Sequence, residues 1–527
     1  MKRFNINGLC MPEKHYMVDL SQRVLEIDRT LIELGEYFTI NRARQYGKTT
    51  TLQALEKYLS TKYIVVRISF EGLDDSILRN TTEFIRAFIF ACASQLARAA
   101  VGDVVIKNWK ADLETFNLRI LRDRITKLVC ACNKPIILMI DEVDKSSDNK
   151  LFLSFLGMLR DKHLTRTSYG NNEYDATFQS VILAGVYDIK NLKLKIRPEE
   201  EHSYNSPWNI AAPFNLDMSF SDGEIARMLA EYETDHHTGM DIQSIANEIR
   251  RRTSGYPFLV SLICKTIDEQ LDRNWSLDGI QSAVKRILHD TNTLFDDMTK
   301  KLSEHLRLGK LVEAILVGGT HPNYEIENET IRLGVTFGIL AERDKSVVIS
   351  NLIFEKKLYS YFVSRAETER LINPGMFDPP SAFIKNGRID MVYAFQQFAA
   401  AMKRERRKEN SSFVETDARL LFIMFISSIV NSTGSYDVES QTRNNMRMDI
   451  KIHYLRENYI IELKIWRGKQ MEQDAYEQLA GYLDAQGKRE GYLLVFCDNK
   501  TQPEERGWVE YNGYRIYETI VPFLEEA

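Results

Sequence analysis

Short apolar runs and longer amphipathic stretches alternate through the first two hundred residues. Tyr37-Phe38-Thr39-Ile40, Tyr63 to Phe70, Pro135 to Ile140 and Phe178 to Gly185 are compact and rich in β-branched or aromatic residues, which predicts buried strands. Thr49 to Tyr58 and Thr82 to Ala99 space their apolar residues as helices do, so this part reads as a parallel sheet with crossover helices. From Asp222 to about Leu288 the pattern is helical, with one break at Gly255-Tyr256-Pro257. Leu302 to Tyr361 holds helices, then two short strands, Phe337 to Leu340 and Ser346 to Ser350, around a polar turn. Pro374, Gly375, Pro379 and Pro380 cluster just beyond and predict a linker. The remainder returns to helices, strands, a helix and a strand.

This pattern divides the chain into an α/β core over 1–215, a helical lid over 216–295, a winged-helix module over 296–372 and a second α/β domain over 373–527. The length of 527 residues agrees, since one hydrophobic core serves roughly 150 residues. A net charge of −5 excludes a global polycation, so any nucleic-acid surface must be local. No apolar run reaches the ~18 residues that span a bilayer, and Leu420 to Val430 reads as a buried helix. With no signal-peptide pattern, a cytoplasmic protein with no membrane partner is expected. Cys130 and Cys132 lack the spacing of a zinc or redox pair, and the other four cysteines are scattered, so buried thiols are expected. His236-His237 has no third ligand nearby and reads as surface.

Candidate chemistry first appears at Asn41-Arg42-Ala43-Arg44-Gln45-Tyr46-Gly47-Lys48-Thr49-Thr50, between the first strand and its helix. Phosphate binding requires backbone N–H groups at a helix start, a lysine that reaches the β/γ-phosphates and a hydroxyl for Mg²⁺. Gly47, Lys48 and Thr49 supply these, with Thr50 beside them and Arg44 as a further phosphate contact. Arg42 stands where the usual pattern has its first glycine. Ile136 to Ile140 then ends in Asp141-Glu142, which places one acid to hold Mg²⁺ and another to polarise the attacking water. The cofactors expected are ATP and Mg²⁺. Asp188, after the fourth strand, takes the place of a phosphate sensor, and Lys193, Lys195 and Arg197 are candidates for a finger acting on a second copy of the chain.

A second constellation lies near the C-terminus. Asp449 precedes the strand-like run Tyr459 to Trp466, in which Glu462 and Lys464 share one strand face. Asp449 and Glu462 suit Mg²⁺, and Lys464 suits a metal-bound water or a phosphate under attack. Gln478 and Tyr482 lie four apart on a predicted helix and so share a face. Lys403-Arg404-Glu405-Arg406-Arg407-Lys408 is a local basic run that could meet a phosphate backbone.

The Asn41–Thr50 loop resembles the Arg-x-Arg-x-x-Gly-Lys loop of bacterial AAA-like ATPases related to the STAND and archaeal-type ATPases. The Walker B stretch, Leu183-Ala184-Gly185-Val186, Ser203 to Ile210 and Thr253-Ser254-Gly255-Tyr256-Pro257 are similar to that family as well. Arg447-Met448-Asp449, Glu462-x-Lys464 and Gln478-x-x-x-Tyr482 resemble the PD-(D/E)xK nuclease superfamily, whose first-helix glutamate Glu415 matches. The resemblance implies a multidomain α/β protein. It comprises a P-loop NTPase core, a lid with Pro257 against adenine, a winged helix and a restriction-endonuclease-like domain. It also implies catalytic roles for Glu415 and Gln478 beside Asp449, Glu462 and Lys464. It further implies nucleotide gating of a DNA endonuclease in bacterial defence. The rival reading is a STAND-type switch that binds DNA or a partner, or forms homo-oligomers, without cutting.

Overall fold

The computed structural model describes residues 2–522 apart from 72–73, 112–116, 147–149, 170–171, 187–207, 317–319, 321, 370–378, 405–421, 424, 427–428, 431–433, 442–446, 456, 467 and 498–506. The four predicted strands form at β1 (Phe38–Asn41), β2 (Ile64–Ser69), β3 (Ile136–Asp141) and β4 (Ser180–Gly185). They make one parallel sheet in the order β1-β4-β3-β2. Every residue of β3 and β4 is buried, as expected of strands covered on both faces. The chain leaves β1 for the far edge and steps back through β3 and β4 until it lies beside β1 again. Right-handed crossovers then put the Lys48–Leu59 helix on one face and the helices after β2 and β3 on the other. The path reverses between β1 and β4, and in open sheets of this kind ligands bind outside the carboxyl ends of the strands at such a point.

The helices Thr81–Arg98 and Lys150–Tyr169 fill one face with phenylalanine. Phe155 meets Phe84 and Phe88 edge-on at centroid distances of 5.4 and 5.1 Å, pairings worth about 0.5–1.5 kcal/mol each beyond area. Past β4, Ala212 N donates to Tyr37 O at 2.8 Å and extends the sheet beyond β1.

Four helices follow: Asp222–His236, Ile242–Thr253, Pro257–Gln270 and Leu277–His289. Ser221 and Glu224 form a capping box at the start of the first. The predicted break is sharp because Ser254 and Gly255 both turn left-handed, with φ of 49° and 71°. Glycine is needed at 255, where a Cβ would sit 2.1 Å from Phe220 O. Pro257 then opens the next helix, where its missing N–H has no partner to lose. The surface reading of His236 is corrected here. His236 is half-buried, stacked on Tyr232 at 4.3 Å and 3.2 Å from the Tyr16 hydroxyl, because Phe4 and Tyr16 pack onto this helix. His237 is exposed as the left-handed cap.

The helix Glu329–Thr336 precedes β5 (Leu340–Arg343), and β6 (Ser346–Ile349) follows. β5 starts three residues later than Phe337 because Gly338, at φ 71°, closes the helix end, its N–H donating to Val335 O and the Ile339 N–H donating to Gly334 O.

The chain divides into two compact units: 1–300 with 325–343 and 350–354, and 301–324 with 344–349 and 355–527. The second unit carries a six-stranded mixed sheet of β7 (Gly434–Gln441), β8 (Arg447–Tyr454), β9 (Glu457–Ile465), β10 (Glu490–Cys497), β11 (Gly507–Tyr511) and β12 (Tyr514–Pro522). Their order is β7-β8-β9-β10-β12-β11. β7, β8 and β9 form an antiparallel meander, and the helix Lys469–Gln486 then crosses over so that β10 runs parallel to β9. The turn between β8 and β9 is tight, since Asn458 pairs with His453 and Glu457 with Tyr454 in the ladder. Leu479, Tyr482 and Leu483 of the helix pack on Ile460, Leu493, Val495 and Ile516. The helix Met391–Arg404 places Phe395 against Tyr492 and Tyr517.

Candidate functional sites

The phosphate loop runs from β1 into the helix Lys48–Leu59. Gly47 holds φ 81° as the residue before that helix, no side chain caps its first N–H groups and no acid lies in its first turn. A helix start left this way attracts an anion through its uncapped N–H groups and its dipole. Lys48 is 8% exposed, and its Nζ donates to Arg42 O at 2.9 Å and Ala43 O at 3.0 Å. Burial pulls the Lys48 pKa down, opposed by the charges of Asp144, Glu142 and Asp141 in that order. The two halves of the predicted site therefore lie in one field. Thr49 and Thr50 are half-buried on the first helical turn. The uncapped helix start, the buried lysine and the acids around it fit a nucleotide with its cation.

At the end of β3, Asp141 is 5% exposed, and its Oδ1 accepts the Glu142 N–H at 3.0 Å. Glu142 sits at φ 55°, a strained conformation for a side-chain-bearing residue that the surroundings must enforce. Burial raises the Glu142 pKa, with the Asp141 charge adding to it and Lys48 opposing. A carboxylate poised this way is a better acceptor for the proton of a water. A cavity of about 440 Å³ reaches Asp141 between Gln53, Glu56, Arg67, Ser69 and Arg98.

Arg42 is a clip. Its Nη2 donates to Leu216 O at 2.7 Å and its guanidinium lies 5.2 Å over the Phe214 ring. Arg44, expected at the phosphates, instead faces Asp297 at 3.6 Å. Gln45 donates to Thr293 at 3.1 Å, and the Tyr256 hydroxyl donates to Arg44 O. Tyr46 meets the Tyr256 ring at 4.7 Å, and a Cβ on Gly338 would lie 2.7 Å from the Ala43 Cβ. Residues 43–46 are thus each touched by a part of the first unit that lies 200 to 300 positions later in the chain. Pro257 is buried one residue beyond Tyr256. Asp188, Lys193, Lys195 and Arg197 lie outside the described residues.

Sequence reasoning missed Asp144. It lies on a tight turn over Val143–Ser146, and its Oδ2 accepts the Val186 N–H at 2.6 Å. Its signal was an acid three residues after Asp141, which no strand period brings back to the site.

In the second unit Glu462 is fully buried, and Lys464 Nζ lies 2.8 Å from its Oε1. The register Ile450↔Ile461, carried one step further, sets position 449 opposite Glu462. Lys451, of the same strand parity, donates to Gln486 at 2.7 Å on the helix that covers this face. Gln478 Nε2 donates to the Tyr482 hydroxyl, as their spacing implied. Sequence reasoning missed two further buried acids, Glu472 and Glu518, the latter bonded to the Tyr476 hydroxyl. Glu518 shares a cross-strand row with Glu462 through Leu493. Among the described residues no three metal-ligating side chains form a cluster. Glu415 and Glu405 to Lys408 lie outside the described residues, and Lys403 is exposed at the end of its helix.

The model of the AAA-like domain family matches residues 14–362, about two thirds of the chain, and the chain belongs to that family. It is an ATP-binding AAA-like ATPase over that span. No curated protein matches the chain. Among solved structures it is similar to the Walker-type ATPase Paby2304 of Pyrococcus abyssi at 12% identity and a TM-score of 0.47, covering 67% of this chain and 99% of that one. It is also similar to the Aeropyrum pernix ORC2 protein in its ADPNP–ADP complexes, at 11% identity and a TM-score of 0.37, covering 65% and 93%. The Aeropyrum pernix ORC1 protein in complex with DNA follows at 14% and 0.28, covering 66% and 94%. No helix of the described residues is long and apolar enough to cross a membrane.

Proposed function

We propose that the chain hydrolyses ATP in its first unit and uses the nucleotide state to gate a metal-dependent phosphodiesterase in its second, acting on DNA. The observation that carries the first half is the shared field of Lys48 with Asp141, Glu142 and Asp144. Lys48 exchanges its two loop carbonyls for the β/γ-phosphates, Thr49 and Asp141 would hold Mg²⁺, and Glu142 takes a proton from the water that bonds to the γ-phosphorus as the bond to the β-phosphate oxygen breaks and ADP leaves. The metal ion supplies charge neutralisation of the phosphates. Phosphate release and fluorescent-nucleotide binding test this directly. Lys48→Ala is expected to lose binding, and Glu142→Gln to bind normally while losing at least a hundredfold in turnover. A Glu142→Gln protein that hydrolyses at the wild-type rate sinks the assignment.

The phosphodiesterase half rests on the Glu462–Lys464 pair, on position 449 across the ladder from it, and on a meander-helix-strand order that suits the PD-(D/E)xK resemblance. Asp449 and Glu462 would hold Mg²⁺, and Lys464 would orient the water, with Glu415 and Gln478 in support. Supercoiled plasmid should be nicked with Mg²⁺ and ATP, and left intact by Glu462→Gln. Nicking that ignores ATP and Lys48→Ala removes the gate but leaves the cutter. A part in defence against foreign DNA rests on the resemblance alone, and phage plating with and without Lys48→Ala tests it.

The contacts of residues 43–46 with Tyr256, Thr293, Asp297 and Gly338 favour a second reading, a nucleotide switch whose output is assembly. Light scattering distinguishes it, since ATP would raise the mass of the wild type and leave Lys48→Ala unchanged.

A further inference from the structure

The end of β4 is held from both sides. Gly185 O accepts the Arg42 N–H at 3.2 Å, where the phosphate loop begins. One residue on, the Val186 N–H goes to Asp144 Oδ2 at 2.6 Å, on the turn that carries the Walker B acids. The approach is close enough to dictate the residue between the two bonds. A Cβ on Gly185 would lie 2.8 Å from Asp144 Oδ1 and 2.9 Å from Val143 Cγ2. One peptide thus spans the gap between the loop that carries Lys48 and the turn that follows Glu142, and a carboxylate completes the span.

We infer that Asp144 is a positioning residue of the nucleotide site, whose carboxylate straps the tip of β4 to the Walker B turn and thereby fixes the spacing between Glu142 and the phosphate loop. Geometry of this kind governs the chemical step more than the binding of nucleotide, because a displaced base still leaves the loop able to hold phosphates. The bond is charge-assisted, and an asparagine oxygen accepts the same N–H without the charge. The inference rests on the hydrolysis reading for its kinetic consequence and on the apo geometry for the strap itself.

The test compares Asp144→Ala with Asp144→Asn by site-resolved hydrogen exchange and by ATP turnover. In Asp144→Ala the Val186 amide is expected to exchange at least about tenfold faster, with Arg42 following and Leu183 unchanged. The kcat should fall at least about tenfold while nucleotide affinity stays within about threefold, and Asp144→Asn should recover both readouts. Unchanged exchange at Val186 overturns the strap. An unchanged kcat in Asp144→Ala overturns the positioning role, and so does an asparagine variant that keeps Val186 protected yet is as slow as alanine. If the wild type turns over no ATP, the hydrolysis reading fails. The strap is then judged by ADP-induced protection of Arg42, which Asp144→Ala should lose and whose retention overturns it. Should Asp144→Ala fail to fold, Gly185→Ala crowds the same carboxylate off the amide and must reproduce the fast exchange at Val186.

Discussion

Lys48 and Lys464 are both drawn out of water, but different groups receive them. Lys48 is satisfied by two backbone carbonyls of its own loop, Arg42 O and Ala43 O. Lys464 faces the carboxylate of Glu462, two residues away on the same strand and wholly buried. A neutral carbonyl releases an ammonium to an arriving phosphate at little electrostatic cost. A buried carboxylate does not, because parting the pair takes the ammonium away from a charge in a low-dielectric interior. The first arrangement is therefore built for exchange. In the second the ammonium already faces a buried carboxylate, so chemistry there must keep the pair together or bring in a cation of its own.

Replacing each lysine by methionine removes the ammonium and keeps the methylenes. Lys464→Met takes the ammonium from the buried Glu462 carboxylate and is expected to destabilise the second unit by about 3–5 kcal/mol, the range seen when one partner of a buried pair is deleted. Calorimetry should show one transition falling while the other stays. The double variant Glu462→Gln, Lys464→Met should recover more than half of the loss. If Lys464→Met melts like the wild type, the pair is not a fixed unit of the second sheet. Any nicking assay on Lys464 variants needs this control, since lost activity and lost fold would otherwise look alike.

Lys48→Met probes the other side. It strands two carbonyls but no charge, so the resting stability of the first unit should change little. What it removes is the ligand. At a hundredfold excess over Kd, ATP should stabilise the wild-type first unit by about 2.7 kcal/mol by mass action, and the variant by close to nothing. A variant that keeps the ligand-induced rise in melting temperature would show that Lys48 is not a phosphate contact.

Lys162 supplies a third case with neither partner type. It is 2% exposed, donates to the Thr126 hydroxyl at 2.6 Å, and burial lowers its pKa to about 8. A lysine depressed in the folded state binds fewer protons there than when unfolded. Stability therefore rises with pH between about 8 and the ordinary lysine value of 10.5, and the penalty is fully present below about 8. The whole shift is worth on the order of 3 kcal/mol, so Lys162→Met should gain about 2 kcal/mol at pH 7 after its lost hydrogen bond. The variant should also flatten the stability profile between those limits. A destabilised variant with an unchanged profile would mean that the ammonium is better solvated than its burial implies.

The sequence made local features legible, and the long-range ones stayed hidden. Gly47-Lys48-Thr49 and Asp141-Glu142 were readable because each sits at the junction of a strand and its next element, and the strand period marks that junction. Glu462 and Lys464 were readable from alternation, and Gln478 with Tyr482 from the helical repeat. Arg42 looked like a departure from a pattern, because its reason, the carbonyl of Leu216, lies far along the chain. Arg44 was expected at the phosphates, and nothing nearby announces Asp297 as its partner. Asp144 carried no periodic mark at all, since its partner is a main-chain N–H that any residue at 186 except proline would offer. The start of β5 was misplaced because Phe337 reads as a strand residue, whereas Gly338 decides the local backbone.

The smallest effect tests whether the exchangeable site is also a coupled one. The Tyr256 hydroxyl donates to Arg44 O, while its ring packs against Tyr46 and, at 5.3 Å, Phe354. Tyr256→Phe keeps the ring contacts and deletes one hydrogen bond, so the expected loss of stability is about 1 kcal/mol. The informative quantity is the difference between states. If nucleotide rearranges residues 43–46 so that Arg44 O leaves Tyr256, the variant loses that bond only in the apo protein. It should then bind ATP up to about fivefold more tightly than the wild type, because the state it must leave has been weakened. If the bond persists in both states, affinity stays level and the loss appears equally with and without ATP. Calorimetric melts at matched saturation, with binding measured on both proteins, separate these outcomes. The second would mean that the loop takes up phosphate without moving the elements that grip it, and that Lys48 exchanges its partners alone.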